Sequence, residues 1–178
     1  MTPPTRLRVI AFTAVVLATA SCQNSTPSLN GFASRAGFKA NYLVARAALE
    51  GGQYAKASRS YASLLKRAGP LEPRIRLEYA HALLREGKYE DASSEARVVV
   101  SQLTGRGRSA ALAVQATADQ EIARQAINKA EVNADAVQRL VAARDAFDEL
   151  LKNNPELDPL GAMKLRRRTI DVEMATLQ

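Results

Sequence analysis

Two side chains in this sequence carry reactive chemistry of their own, a single thiol at Cys22 and a single imidazole at His81. An imidazole works as a general base only beside a nucleophile or an orienting carboxylate. No such motif surrounds His81, so it reads as a histidine on a helix surface. The sequence contains no glycine-rich phosphate loop, no HExxH metal pair and no second cysteine. Nothing in it assembles a catalytic, metal or cofactor site, and the chain reads as a binding protein rather than an enzyme. As the only cysteine, Cys22 cannot form an internal disulfide. Acylation is a chemistry that accounts for it, because several chains on one residue anchor stably where a single chain does not.

That reading depends on export, for which the N-terminus carries the signal. Arg6 and Arg8 precede an apolar run from Val9 to Ala20, too short to cross ~30 Å of hydrocarbon comfortably, so residues 1–21 read as a secretory signal. Two processing routes are open. Ala18-Thr19-Ala20 suits ordinary signal peptidase, which leaves a soluble periplasmic protein starting at Ser21. Thr19-Ala20-Ser21-Cys22 resembles a bacterial lipobox, with Thr19 where leucine is usual, and makes Cys22 the lipidated first residue. Gln23 rather than aspartate after the cysteine then implies, by the sorting pattern of such lipoproteins, the periplasmic side of the outer membrane. Removal of residues 1–21 leaves 23 Lys and Arg against 18 Asp and Glu, a net charge of +5. A basic excess suits nucleic acid, but an exported location argues against it. Acidic peptide segments or anionic lipid headgroups fit better.

Residues 22–35 are polar and turn-forming and read as a flexible tether. Beyond them the composition is rich in alanine and leucine and poor in aromatics, with no tryptophan, which favours helices. Gly52-Gln53-Tyr54-Ala55-Lys56-Ala57 and Gly87-Lys88-Tyr89-Glu90-Asp91-Ala92 repeat one pattern, G-x-Y-x-x-A, 35 residues apart. A period of this length marks stacked helical hairpins. The pattern predicts helices over Phe38–Gly51, Tyr54–Arg67, Pro73–Glu86 and Tyr89–Leu103, with breaks at Gly51-Gly52, Gly69-Pro70, Gly87 and Gly105-Arg106-Gly107.

These two hairpins resemble tetratricopeptide repeats. Val44, Ala45, Ala48, Tyr54, Ala57, Tyr61, Leu64 and Leu65 match the contact positions of one unit, and Tyr79, Ala80, Leu83, Tyr89, Ala92, Ala96, Val99 and Val100 those of the next. Asn41 and Arg76 stand where the family prefers a large apolar residue. A degenerate third unit keeps Ala143, Phe147, Leu150, Leu151 and Pro155, with Gln138 in place of the turn glycine. Its insertion must be absorbed by lengthened helices or an irregular turn near Asn133. The resemblance implies an all-α, right-handed solenoid over residues 36–157, closed by a capping helix over 158–178. Asp158 would cap that helix, Leu160, Met163, Ile170, Met174 and Leu177 would face inward, and Arg166, Arg167 and Arg168 would face solvent.

The same resemblance implies a concave groove formed by first-helix positions. These are Lys39, Tyr42, Arg46, Leu49 and Glu50 in the first unit and Arg74, Leu77, His81, Leu84 and Arg85 in the second. Cations beside apolar side chains would recruit an acidic segment or a chain-terminal carboxylate from a protein partner. Small repeat lipoproteins of this kind serve as pilotins or accessory factors in pilus, secretin or barrel assembly. The implied function is such a scaffold, for pilus or secretin assembly first. The alternatives are a self-associating envelope protein or a soluble periplasmic adaptor.

Overall fold

Glycine placement sets the turns. In the computed structural model, which describes residues 29–177, Gly52 and Gly87 adopt φ of 74° and 83°, a left-handed geometry that costs glycine no Cβ clash. Each closes the helix before it in the same way. Gln53 N–H donates to Ala48 C=O at 2.8 Å and Lys88 N–H to Leu83 C=O at 3.0 Å, satisfying carbonyls that a helix end leaves open. The repeated motif is therefore a repeated backbone turn.

All elements among the described residues are helical. They are α1 (Leu29–Glu50), α2 (Tyr54–Leu65), α3 (Glu72–Glu86), α4 (Tyr89–Gln102), α5 (Gly105–Asn128), α6 (Ala134–Asn153) and α7 (Ala162–Ala175), with 3-10 turns at Gly69–Leu71 and Pro155–Leu157. Each helix packs on its neighbour in sequence. In addition α3 touches α5 and α5 touches α7, so these odd-numbered helices share a layer. Ala45, Ala57, Ala80 and Ala92 are wholly buried, which lets the backbones of each hairpin approach closely. Tyr61, Leu64 and Ile75 fill the first core region, and Leu112, Leu140, Phe147 and Ile170 fill the space between α5, α6 and α7. Arg76, at a position where an apolar group was expected, binds Glu72 on its own helix and Glu95 on α4. An ion-pair bridge there takes the place of a hydrophobic plug.

The third hairpin corrects the expected register. Its left-handed turn residue is Ala130, at φ 56°, not Gln138. Glu131 N–H donates to Ala126 C=O at 2.9 Å, the same closure as at the two glycines. Asn133 then caps α6 by accepting from Ala136 N–H at 2.9 Å. The insertion is absorbed in helix length, since α5 has 24 residues against 15 in α3, and α6 has 20 against 14 in α4. An L-residue in the left-handed region costs roughly 1–2 kcal/mol, part of which glycine returns through its larger unfolded entropy. Ala130→Gly is therefore expected to stabilise the protein by about 1 kcal/mol. A thermal midpoint that falls instead of rising would refute the turn geometry at Ala130.

Three other boundaries differ from expectation. Helix α1 begins at Leu29, inside the segment read as a tether over 22–35. No proline lies beyond Pro27 there, and single glycines such as Gly31 cost about 1 kcal/mol without ending a helix. Gly105-Arg106-Gly107 is the first turn of α5 rather than a loop: the extended Leu103 and Thr104 separate α4 from α5, and Gly105, at φ 55°, opens the next helix. Val44, expected in a hairpin contact, is half-exposed, since no helix packs outside α1 among the described residues.

Helix α7 covers the end of the stack only in part. Ile170 is buried and Met163, Met174 and Leu177 pack with it, but Leu160 is 93% exposed. Gly161, at φ 71°, starts the helix after Leu160 and takes that residue out of the helical stripe. Asp158 still caps α7, accepting from Met163 and Lys164 N–H at 3.0 Å. Of the three arginines expected in solvent, Arg166 bonds Gln120 and Glu121 on α5 and Arg167 bonds Asp148 on α6. Only Arg168 is exposed. The segment 1–21 read as a secretory signal, Cys22, and the part of the expected tether up to residue 28 lie outside the described residues.

Candidate functional site

An open cleft of about 480 Å³ runs along the layer of odd-numbered helices. Helix α3 presents Leu77, Glu78, His81 and Leu84 to it, at spacings that put all four on one face. Helix α5 supplies Ala110, Ala113, Val114 and Thr117, at i, i+3, i+4 and i+7. Arg46 of α1 closes one end, and Leu157 and Met163 the other. The walls are mostly apolar. Thr117 turns its hydroxyl back onto Ala113 C=O at 2.7 Å, so the helix itself occupies that donor.

The polar end is an organised network. Arg46 donates through Nε to Glu50 at 2.6 Å and through Nη1 to Glu78 at 3.1 Å. Glu78 also faces the hydroxyls of Tyr42 and Tyr61, at 3.5 and 3.4 Å. The two tyrosine rings meet edge to face, 6.4 Å between centroids. The hydrogen bond to Glu50, with Tyr42 and Glu78 behind it, raises the Arg46 pKa further, so the guanidinium stays charged. Burial, then the Glu78 carboxylate, raises the Tyr61 pKa and keeps its phenol protonated. At the rim, desolvation by the cleft walls and repulsion from Arg85 lower the His81 pKa below its usual 6.5. His81 is therefore a neutral hydrogen-bonding group at pH 7.

Of the residues expected in a groove, Arg46, Leu77, His81 and Leu84 come together here. Arg85 lies in an adjoining recess with Leu49, Glu50 and Tyr54, where it sits over the Tyr54 ring at 5.0 Å and donates to its hydroxyl at 2.5 Å. Tyr42 joins through Glu78. Lys39 and Arg74 are exposed and belong to neither recess. Sequence reasoning missed Glu78, although it lies on the helical face of His81 and Arg85. It also missed the α5 wall, although Ala110, Ala113, Val114 and Thr117 carry the right spacing. Glu78 changes the electrostatics, because it and Glu50 neutralise the cation that an acidic ligand would seek.

No family model, curated protein or solved structure matches the chain. Among the described residues no His, Cys, Asp or Glu cluster is arranged to hold a metal ion, and no helix is long and apolar enough to cross a membrane.

Proposed function

We propose that the protein is a scaffold that holds a segment of a partner protein in the cleft between α3, α5 and α7. The cleft itself carries the reading, an apolar trough of about 480 Å³ with one organised polar end. A partner segment would place apolar side chains against Leu77, Leu84 and Val114. A carbonyl on it would take the Nη2 of Arg46, which neither Glu50 nor Glu78 engages, and the neutral His81 would add a hydrogen bond. The hairpin period, the matching Gly52 and Gly87 turns and the shared odd-helix layer support a right-handed solenoid of tetratricopeptide type. With acylation at Cys22, this scaffold would work at the periplasmic face of the outer membrane, as an accessory factor in pilus or secretin assembly.

Crosslinked capture from the envelope with the full-length protein tests the cleft. Leu77→Glu with Val114→Glu puts two charges on half-buried walls and should reduce capture at least about tenfold, the loss of roughly 1.4 kcal/mol or more. Arg168→Glu is the matched control on an exposed residue, and circular dichroism checks folding in both. Capture unaffected by the cleft variant would remove the binding site from this trough. A self-association reading has its own observation, because Leu165 and Val172 are 64% and 65% exposed on the outer face of α7. Sedimentation distinguishes it. An oligomer dispersed by Leu165→Lys, with no captured partner, would replace the scaffold reading.

A further inference from the structure

The positive charge of this protein is concentrated at one end. Residues 29–71 hold seven Lys and Arg against one carboxylate, Glu50, whereas residues 72–178 hold sixteen Lys and Arg against seventeen Asp and Glu. No acidic residue precedes Glu50 anywhere in the chain. Helices α1 and α2 run antiparallel, so the N-terminal half of α1 lies beside the C-terminal end of α2. There Arg35 and Phe38 of α1 meet Arg67, Ala68 and Leu71 around a shallow, apolar-floored pocket of about 480 Å³. Arg35 and Arg67 are exposed and Leu71 is half-exposed. Neither arginine makes an ion pair among the described residues. Lys39 follows Arg35 by one helical turn, so this end accounts for a cation the cleft leaves out.

We infer that this end of the α1–α2 hairpin is a membrane-contact surface that docks on anionic phospholipid headgroups, with Phe38 and Leu71 reaching toward the acyl boundary. The inference rests on the membrane-anchored reading of Cys22 for its setting. Cys22 and Leu29 are seven residues apart, and chain of that length spans at most ~25 Å. Arg35 lies only ~9 Å further along the helix. An anchored protein therefore keeps this face within reach of the bilayer whatever path the linking residues take. Cations near an anionic surface attract it over a Debye length of ~8 Å, and apolar side chains set among them add burial. An acidic protein would meet the same charges, but proximity to the anchor favours the lipid.

The test uses the full chain from Cys22 onward with Cys22→Ser, which cannot be acylated, so it reads the surface and not the anchor. Sedimentation with vesicles of phosphatidylcholine alone, and of phosphatidylcholine with phosphatidylglycerol, measures partitioning. Binding is expected to the anionic vesicles only and to fall as salt rises. Each cation contributes roughly a fivefold factor at such a surface, so Arg35→Gln with Arg67→Gln should lower partitioning about twenty-five-fold. Lys164→Gln with Arg168→Gln, at the far end of the stack, should change nothing. Equal binding to neutral vesicles, no binding to anionic ones, or equal loss in both variant pairs would overturn the inference. Mass spectrometry of residue 22 in the membrane-extracted wild type separately decides the anchor, so the two can fail independently.

Discussion

Arg139→Met is expected to destabilise the protein by about 3–5 kcal/mol, because it strands a buried carboxylate. Asp119 is 1% exposed, and its Oδ1 accepts from Ser93 Oγ at 2.7 Å and from Arg139 Nη1 at 3.1 Å. Arg139 reaches it from α6 and binds Asp135 at 2.8 Å and Glu90 of α4 at 2.9 Å with its other nitrogens. One guanidinium thus ties α4, α5 and α6 together. Removing it leaves Asp119 with only neutral donors, Ser93 and the distant Gln115 amide at 3.5 Å. For a domain of this size such a loss lowers the melting midpoint by about 10 °C or more. The cause is separable. Arg139→Met combined with Asp119→Leu removes the stranded charge and should recover much of the loss, since apolar replacement of a buried pair is often neutral. A double variant as unstable as the single one would assign the cost to the packing of the Arg139 stem rather than to the charge.

What the sequence made legible depended on which residues report their backbone. Gly52 and Gly87 sit in left-handed turns and are glycine, so their spacing exposed both hairpins and four helices. Ala130 makes the same turn with a residue that gives no such sign, so the sequence pattern points to Gln138 for a turn that lies at Ala130. The repeat resemblance pointed to the α3 wall of the cleft, and Leu77, His81 and Leu84 do fall on one helical face. It did not find that Glu78 would neutralise Arg46, because that contact joins residues 32 apart on different helices. The Asp119–Arg139 pair has the same character. Its two members look like ordinary solvated charges until the stacking of α5 on α6 buries one of them. Cation placement was legible in number but not in destination. Arg46 and Arg85 are engaged by neighbours, Arg166 and Arg167 link helices, and Arg35 and Arg67 make no ion pair among the described residues.

Phe147→Ala is expected to cost about 3–5 kcal/mol, toward the upper end of that range. Phe147 is wholly buried on α6, in the core shared with Leu112 and Ala116 of α5 and Ile170 of α7. Cavity cost depends on how far the surroundings can collapse. Here several of them are alanines, Ala116 and Ala143 among them, whose side chains are too short to move into the void. The backbones they bring together are already in contact, so most of the cavity should persist. Phe147→Leu, which keeps much of the volume, should cost about 1.5 kcal/mol or less, and Leu165→Ala on the exposed face of α7 about 0.5 kcal/mol or less. Urea denaturation of the three variants gives the comparison directly. The effect should also be unevenly distributed. Helix α7 holds to the stack chiefly through Ile170 and its neighbours, so amide exchange in α7 should quicken before that in α2 or α3. Met163 of α7 lines the cleft, and a loosened α7 would weaken the proposed partner capture even where the variant remains folded. A loss below about 1 kcal/mol, with α7 exchange unchanged, would mean that α6 and α7 do not share this core.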